Sequence, residues 1–245
     1  MKGSKISSRT LFTASIIFVL VLVSGPLGYK HGFSLLIPSI ISLLVGLLGV
    51  ILVFLSSLVM LFVAIRYKLI SDRKVLLASL LVSIFPIIVI VPQALDGIRE
   101  PQINDISTDT ISPPSFNELL IRRRKANNKS SLNNHALSKE ERIKIQNHSY
   151  PELKTLSSPL DFESALLRSA MLLQQQGMDI ITIDEDKGFI EAVDTSFWFG
   201  FKDDVVVRLK SHSNRTEIDI RSASRIGLRD FGKNAARVRR FLNEF

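Results

Sequence analysis

Carboxylates and arginines crowd one stretch near the C-terminus, where their types and spacing suit chemistry. Asp203 and Asp204 are adjacent, and Glu191 and Asp194 precede them on a run of strand-like composition. Paired carboxylates can share a proton or hold a cation. One reading is therefore a polar pocket built from Glu191, Asp203, Asp204, Arg208, Asp219, Arg221 and Arg225. The simpler reading is ion pairing across strands, since alternation puts Glu217, Asp219 and Arg221 on one face of a strand. No catalytic residue is assigned. A serine or cysteine nucleophile motif is missing, and His31, His135, His148 and His212 lack metal-ligand spacing. Neither a metal nor a cofactor is expected.

Four further groups invite a functional reading. Gly227–Leu228–Arg229–Asp230–Phe231–Gly232–Lys233–Asn234 has P-loop spacing, but Asn234 stands where a magnesium-holding hydroxyl belongs, so its glycines read as a tight strand-to-helix connection. Asp105, Thr108 and Asp109, with Ser107 and Thr110, could contact a cation or phosphate, and equally make turns that fix irregular chain. Phe197, Phe199 and Phe201 alternate toward one face and read as core. Trp198 points the other way, toward a headgroup interface. Arg229, Lys233, Arg237 and Arg240 form a basic stripe on the last helix, suited to lipid phosphates or another polyanion.

These groups are positioned by a chain of two very different halves. Apolar segments cover about Leu11–Leu27, Leu35–Ile65 and Val75–Leu95, each near or above the roughly 20 residues that cross a bilayer as a helix. Residues 1–95 therefore read as a three-span anchor. The first span also has the basic start and apolar stretch of a signal peptide, but Pro26 and Tyr29 make a poor cleavage context. An uncleaved span is the preferred reading, and the C-terminal domain lies outside under either. Charge gives an orientation. Lys2, Lys5 and Arg9 precede the first span, and Arg66, Lys68, Arg73 and Lys74 lie between the second and third, whereas the first loop offers only Lys30. Lys and Arg accumulate inside, so the expectation is a cytoplasmic N-terminus and a C-terminal domain outside the plasma (inner) membrane, in a periplasm or beyond. The run Arg122–Lys125 lies too far from a span to oppose this.

The net charge of +8 and pI near 9.8 suggest a nucleic-acid binder until the chain is divided. Eight of the 31 basic residues and one of the 23 acidic ones lie in residues 1–95, which leaves the rest at +1. The basicity is a topology signal, and no nucleic-acid partner is expected. With no cysteine, disulfides and thiolate metal sites are excluded.

Residues 96–149 read as an extended strap, with Pro101, Pro113 and Pro114, followed by a polar insert over Ile121–Ser149. Residues 150–245 read as a compact α+β domain. Ser158, Pro159 and Asp161 open a helix with Phe162, Leu166, Ser169 and Leu173 on one face, and Gly177 ends it. Strands follow at Asp179–Asp184, Phe189–Asp194, Lys202–Lys210 and Thr216–Arg221, the outer pairs joined as hairpins. A helix over Phe231–Asn243, capped by Asp230, turns Phe231, Ala235, Val238 and Leu242 to the sheet. The expected fold is a four-stranded antiparallel sheet packed by two helices, behind three transmembrane helices.

Several stretches together resemble a known family. They are Asp105–Thr110 followed by Pro113, Pro114 and Phe116; Tyr150–Pro151; Phe197–Trp198–Phe199–Gly200–Phe201; Asp203–Arg208; and Asp219–Arg225 with Gly227, Asp230 and Gly232–Arg237. This set resembles the bacterial and plastid family numbered 1499 in the domain-of-unknown-function series, over about Pro92–Leu242. Met178 departs from it, standing where the family often has Trp. The resemblance implies an envelope setting behind membrane spans, and implies no reaction. The expected function is a binding or scaffolding module for an anionic lipid, a polyanion or an envelope protein. The alternative is an envelope enzyme using Asp203, Asp204 and Glu191.

Overall fold

A computed structural model of the chain describes residues 3–117, 121 and 137–245. Most of the expected polar insert, including Arg122–Lys125, lies outside the described residues. The chain divides into two compact units, Met1–Asp96 with Trp198–Gly200, and Gly97–Phe197 with Phe201–Phe245.

The first unit consists of long apolar helices. α1 (Gly3–Lys30), α2 (Leu36–Arg66) and α3 (Ile70–Arg99) each contain a window long and apolar enough to cross a membrane. Their outward side chains include Leu20, Leu44, Phe62 and Leu81, all more than half exposed, which suits a hydrocarbon surround. Small residues bring α1 and α2 together, as apolar helices require when lipid offers no hydrophobic drive for pairing. A Cβ placed on Gly46 would lie 2.5 Å from the Leu22 backbone, and one on Gly49 would run into the Phe18 ring. Ser42 Oγ donates to Val21 O at 2.6 Å, and the Ser57 and Ser79 hydroxyls bond α2 to α3 at 2.9 Å.

The second unit is an antiparallel sheet of six strands with helices, so the α+β expectation holds with two more strands than foreseen. Its elements are β1 (Asp105–Ser107), α4 (Lys139–Ser149), β2 (Leu156–Ser158), α5 (Phe162–Gln175), β3 (Asp179–Asp184), β4 (Phe189–Thr195), β5 (Lys202–His212), β6 (Arg215–Ser224) and α6 (Lys233–Glu244). The order is β1-β6-β5-β4-β3, and β2 also pairs with β6. β1 and β2 share the outer edge of β6: Ile106 lies opposite Ser222, and Ser157 opposite Glu217.

Strand period two sorts the sheet into two unlike faces. One carries Ile190, Val205, Val207, Leu209, Ile218 and Ile220, all buried beneath Leu166, Leu173, Val238 and Phe241 of α5 and α6. The other carries rows of mixed character, Phe189–Arg208–Asp219, Glu191–Val206–Arg221 and Val193–Asp204–Ala223. Local signals explain the helix ends. Asp161, rather than Ser158, caps α5 by accepting from Ser164 N at 2.9 Å, and Gly177 at φ +84° stops it. α6 begins at Lys233, two residues later than expected, because Phe231 and Gly232 both adopt left-handed backbone. Phe231 is thus not in the helix stripe and is 54% exposed. The stripe that does reach the sheet is Ala235, Val238 and Phe241.

Candidate functional site

The mixed face of the sheet is where the predicted polar residues meet the strap. From Thr108 to Asn117 the chain crosses this face without regular structure, so its peptide groups need partners from elsewhere. Sheet side chains supply them. Arg208 Nη1 donates to Ser112 O at 3.0 Å, and Arg221 Nη1 to Pro114 O at 2.9 Å. Asn117 N donates to Glu191 Oε1 at 2.7 Å, and its side-chain amide reaches the other oxygen. Phe116 is buried against Val193, Val206 and Ala223, with the Arg221 guanidinium 4.9 Å from its ring centre. From α4, Gln146 bonds both backbone groups of Ser107, at 3.1 Å and 2.6 Å.

The same arginines neutralise the carboxylates. Arg221 forks onto Asp105 with two bonds of 2.8 Å. Arg208 bridges Asp109 at 3.0 Å and Asp219 at 2.7 Å. Asp219, only 3% exposed, also accepts from Thr108 Oγ1 and Thr155 Oγ1. Arg225 grips the fully buried Asp204 through Nε and Nη2, at 3.0 Å and 2.6 Å. Burial acts to raise the Asp109 carboxyl, but bonds from Ser112 N, Arg208 and Ile111 N outweigh it and hold the group below its ordinary range. Glu191 goes the other way. Desolvation pushes it up, the Asn117 N–H opposes, and the like charge of Asp204 adds to the rise.

Asp203 is not part of this face. Adjacent strand residues point oppositely, so Asp203 projects with Asp194 toward the helices. There Arg237 meets both of them and also donates to Ser222 Oγ at 2.7 Å and Asn234 Oδ1 at 2.6 Å. Arg237 is 9% exposed, which corrects its place in the expected basic stripe: it follows the apolar side of α6 inward to two carboxylates. The other stripe members stay nearer the surface. Arg229 donates to Ile98 O at 3.1 Å, Arg240 pairs with Glu244 at 2.8 Å, and Lys233 is exposed.

Other expectations fall as follows. The segment after β4 is a turn and not a continued strand, closed by Ser196 N to Phe201 O at 2.8 Å and Phe201 N to Ser196 Oγ at 2.9 Å. Phe197 is consequently 72% exposed rather than core, and Trp198 is 42% exposed. The glycine-rich stretch holds its turn through Asp230, whose carboxylate accepts from Gly232 N and Asn234 N at 2.9 and 2.7 Å. Burial raises that carboxyl despite these bonds. Sequence reasoning gave no role to Asn117, Gln146 or Asn234, whose amides tie strap, α4 and α6 to the sheet; a lone amide carries no periodic signal.

Two cavities of about 200 Å³ flank the strap, one bounded by Asp105, Thr110, Arg142 and Arg221, the other by Phe116, Thr182, Lys187 and Glu191. Both are below the range of roughly 300–1,000 Å³ usual for small-molecule sites. An open groove of about 560 Å³ runs along α5 and α6, past Leu167 and Met171. Among the described residues, no three His, Asp or Glu side chains gather as a metal site would need.

Comparison with known proteins adds one match. The sequence model of a family described as a protein of unknown function (DUF1499) covers residues 105–245. No curated protein and no solved structure matches the chain.

Proposed function

This chain belongs to the DUF1499 family, and from that premise we propose that it holds its family domain outside the plasma membrane as a binding or scaffolding module. Three helices long and apolar enough to span a bilayer precede the domain. The excess of Lys and Arg before α1 and between α2 and α3 supports a cytoplasmic N-terminus and an extracytoplasmic, periplasmic domain. The partner is a component of the cell envelope, met by the outward side of α6 around Lys233 and Arg240.

One observation carries the choice of binding over catalysis. The carboxylates best placed for chemistry are already engaged: Asp204 by Arg225, Asp219 by Arg208, Asp105 by Arg221, and Asp203 by Arg237. A carboxylate paired with an arginine, through a fork at Asp204 and Asp105 and a single nitrogen at Asp219 and Asp203, is a poor base or nucleophile, because the charge-assisted bond holds its lone pairs. Glu191 supports the rival reading, an envelope enzyme. It is buried, its carboxyl is raised by desolvation, and it borders a cavity. Both its oxygens are nevertheless held by Asn117.

Two experiments test the proposal. Alkaline phosphatase fused after Phe245 should be active in bacterial cells and inactive when fused between Arg66 and Lys74; the reverse pattern overturns the topology. A photo-crosslinking residue at position 240 should then trap one discrete envelope component in living cells. If Glu191→Gln abolishes the chain's cellular role while that crosslink and the fold persist, the enzyme reading replaces the binding one.

A further inference from the structure

The cavity bounded by Asp105, Thr110, Arg142 and Arg221 lies wholly within the second unit, between the strap, β1, β6 and one side of α4. Helical spacing assembles that side, since Lys139, Arg142 and Gln146 recur at i, i+3 and i+7 and all line the space. Three cations, Lys139, Arg142 and Arg221, stand there against one carboxylate, Asp105. The companion cavity has the reverse balance, with Lys187 against Asp184 and Glu191. Arg221 cancels Asp105 through its fork of two 2.8 Å bonds. Lys139 and Arg142 therefore leave a surplus of two positive charges.

Those two side chains make little use of the protein around them. Among the described residues, Lys139 Nζ approaches Ile111 O at 3.5 Å, and Arg142 Nη1 approaches Asp105 Oδ2 at 3.8 Å. Both separations exceed the roughly 2.7–3.2 Å of a normal N–H···O bond. Nor does the helix reward them. They hold its first and fourth positions, where the N-terminal dipole favours anions over cations. The acidic residues of that turn do not border the cavity, and Glu141 is engaged in the capping box, accepting from Ser138 N at 2.9 Å. Neutral donors complete the lining. Gln146 spends one amide hydrogen on Ser107 O at 2.6 Å and keeps a second, and Thr110 brings a hydroxyl. At about 200 Å³ the space holds roughly six waters, too little for an extended ligand and enough for one compact anion.

We propose that this cavity binds a phosphoryl group, as inorganic phosphate or as the head of a phosphomonoester. Such a group carries about two negative charges at neutral pH and three acceptor oxygens. It therefore matches the surplus charge and the underused donors together, whereas a carboxylate answers only half the charge. Arg142 supplies a fork to two of its oxygens, and Lys139 a point charge at the mouth. The site is separate from the outward side of α6 and does not depend on the partner proposed there.

The full chain, in nonionic detergent free of phosphate and at low ionic strength, is titrated calorimetrically with inorganic phosphate, glycerol 3-phosphate and acetate. A phosphoryl compound should bind at one site per chain, and acetate should bind at least about tenfold more weakly. Lys139→Ala and Arg142→Ala should each weaken phosphoryl binding about tenfold, as for a lost hydrogen bond to a charged group, and the double substitution should remove it. Arg142→Lys should recover part of the loss, because the charge returns without the fork. Lys139 is exposed and the Arg142 side chain is 39% exposed, so the melting temperature without ligand should hardly change. Phosphate should raise it in the native chain and leave it unmoved in the double variant. Tighter binding of glycerol 3-phosphate than of inorganic phosphate identifies an esterified ligand, and equal or weaker binding identifies the free ion; either supports the site. Silence with both compounds overturns it. So does binding that survives the double substitution, or acetate binding as tightly as phosphate. Should the double variant fail to fold, the native preference for phosphate over acetate and the Arg142→Lys titration decide.

Discussion

The two faces of the sheet are closed by different means. On one face α5 and α6 satisfy their own peptide groups, so only shape has to match, and the contacts are Leu173, Val207, Ile220, Val238 and Phe241. On the other, the irregular strap brings bare carbonyls and N–H groups onto the sheet. Arg208 and Arg221 reach up to Ser112 O and Pro114 O, while Glu191 receives Asn117 N. Charge on that face is mortar for chain that has no ladder of its own. The helix face admits one polar knot, around Arg237, at the end where α6 begins. A cluster of ionisable residues in a family domain thus need not be a reaction centre. It is also what a sheet requires when its cover is not secondary structure.

The sharpest way to break this comparison is at Asp204. Arg225→Ala takes the two-pronged arginine contact away from a fully buried carboxylate, at a cost of about 3–5 kcal/mol. Leu173→Ala on the helix face should cost about 2–5 kcal/mol by opening a cavity. Both are read as lost protection in hydrogen exchange of the β5 and β6 amides. The faces separate in the double substitution Asp204→Leu with Arg225→Met, which should recover most of the loss because a buried pair adds little over a packed apolar one. No recovery would mean that the pair does more than fill its place.

A smaller contrast concerns α6. Arg237→Ala strands Asp194 and Asp203 and should cost about 2–3 kcal/mol. Lys233→Ala, on exposed surface, should stay within about 0.5 kcal/mol. Equal effects in the same exchange measurement would put Arg237 back among the surface residues and weaken the account of the knot.

This contrast also marks what the sequence could reveal. Long, patterned elements are legible: the three long apolar helices, the four long strands and α5 follow from hydropathy, periodicity and caps within a few residues. β1 and β2 are not, since Asp105–Ser107 and Leu156–Ser158 are three residues each, polar, and defined only by the edge of β6. The polar cluster was legible as a set, but its partition was not drawn from it. Alternation requires the adjacent Asp203 and Asp204 to diverge, so a single pocket holding both conflicts with the strand itself. The inward course of Arg237 had no such signal. A cation one position before Val238 can turn either way, and two carboxylates from other strands decide it. Phe197 misled because five aromatic-rich residues look like a strand until Gly200, at φ +65°, and Ser196 close them into a turn.

The smallest expected effect tests the strap face by pH. Glu191 has its carboxyl raised by burial and by the charge of Asp204, so the folded domain binds that proton more tightly than the unfolded chain does. Where the folded state holds more protons, stability falls as pH rises. This contribution is full below the ordinary glutamate range, near pH 4.3, and is lost as pH climbs through the raised value. Asp109 runs oppositely. Its depressed carboxyl adds stability that is present above the ordinary aspartate range and is lost as pH falls through the lowered value. The two slopes oppose each other only at their margins, because their windows lie on different sides of the ordinary carboxyl range. Glu191→Gln keeps an oxygen for Asn117 N and removes the titration, and its new NH2 is met by the Asn117 amide once that amide turns its oxygen over, so stability at acidic pH should change by less than about 1 kcal/mol. Above the ordinary range the variant should decline less steeply than the native chain, its remaining fall belonging to Asp230, whose carboxyl burial also raises. Pulse proteolysis of the full chain in urea, from about pH 4 to about pH 8, measures both curves. Parallel curves would mean that Glu191 is not the titrating group, and that the Asn117 clasp on the strap carries no charge-dependent cost.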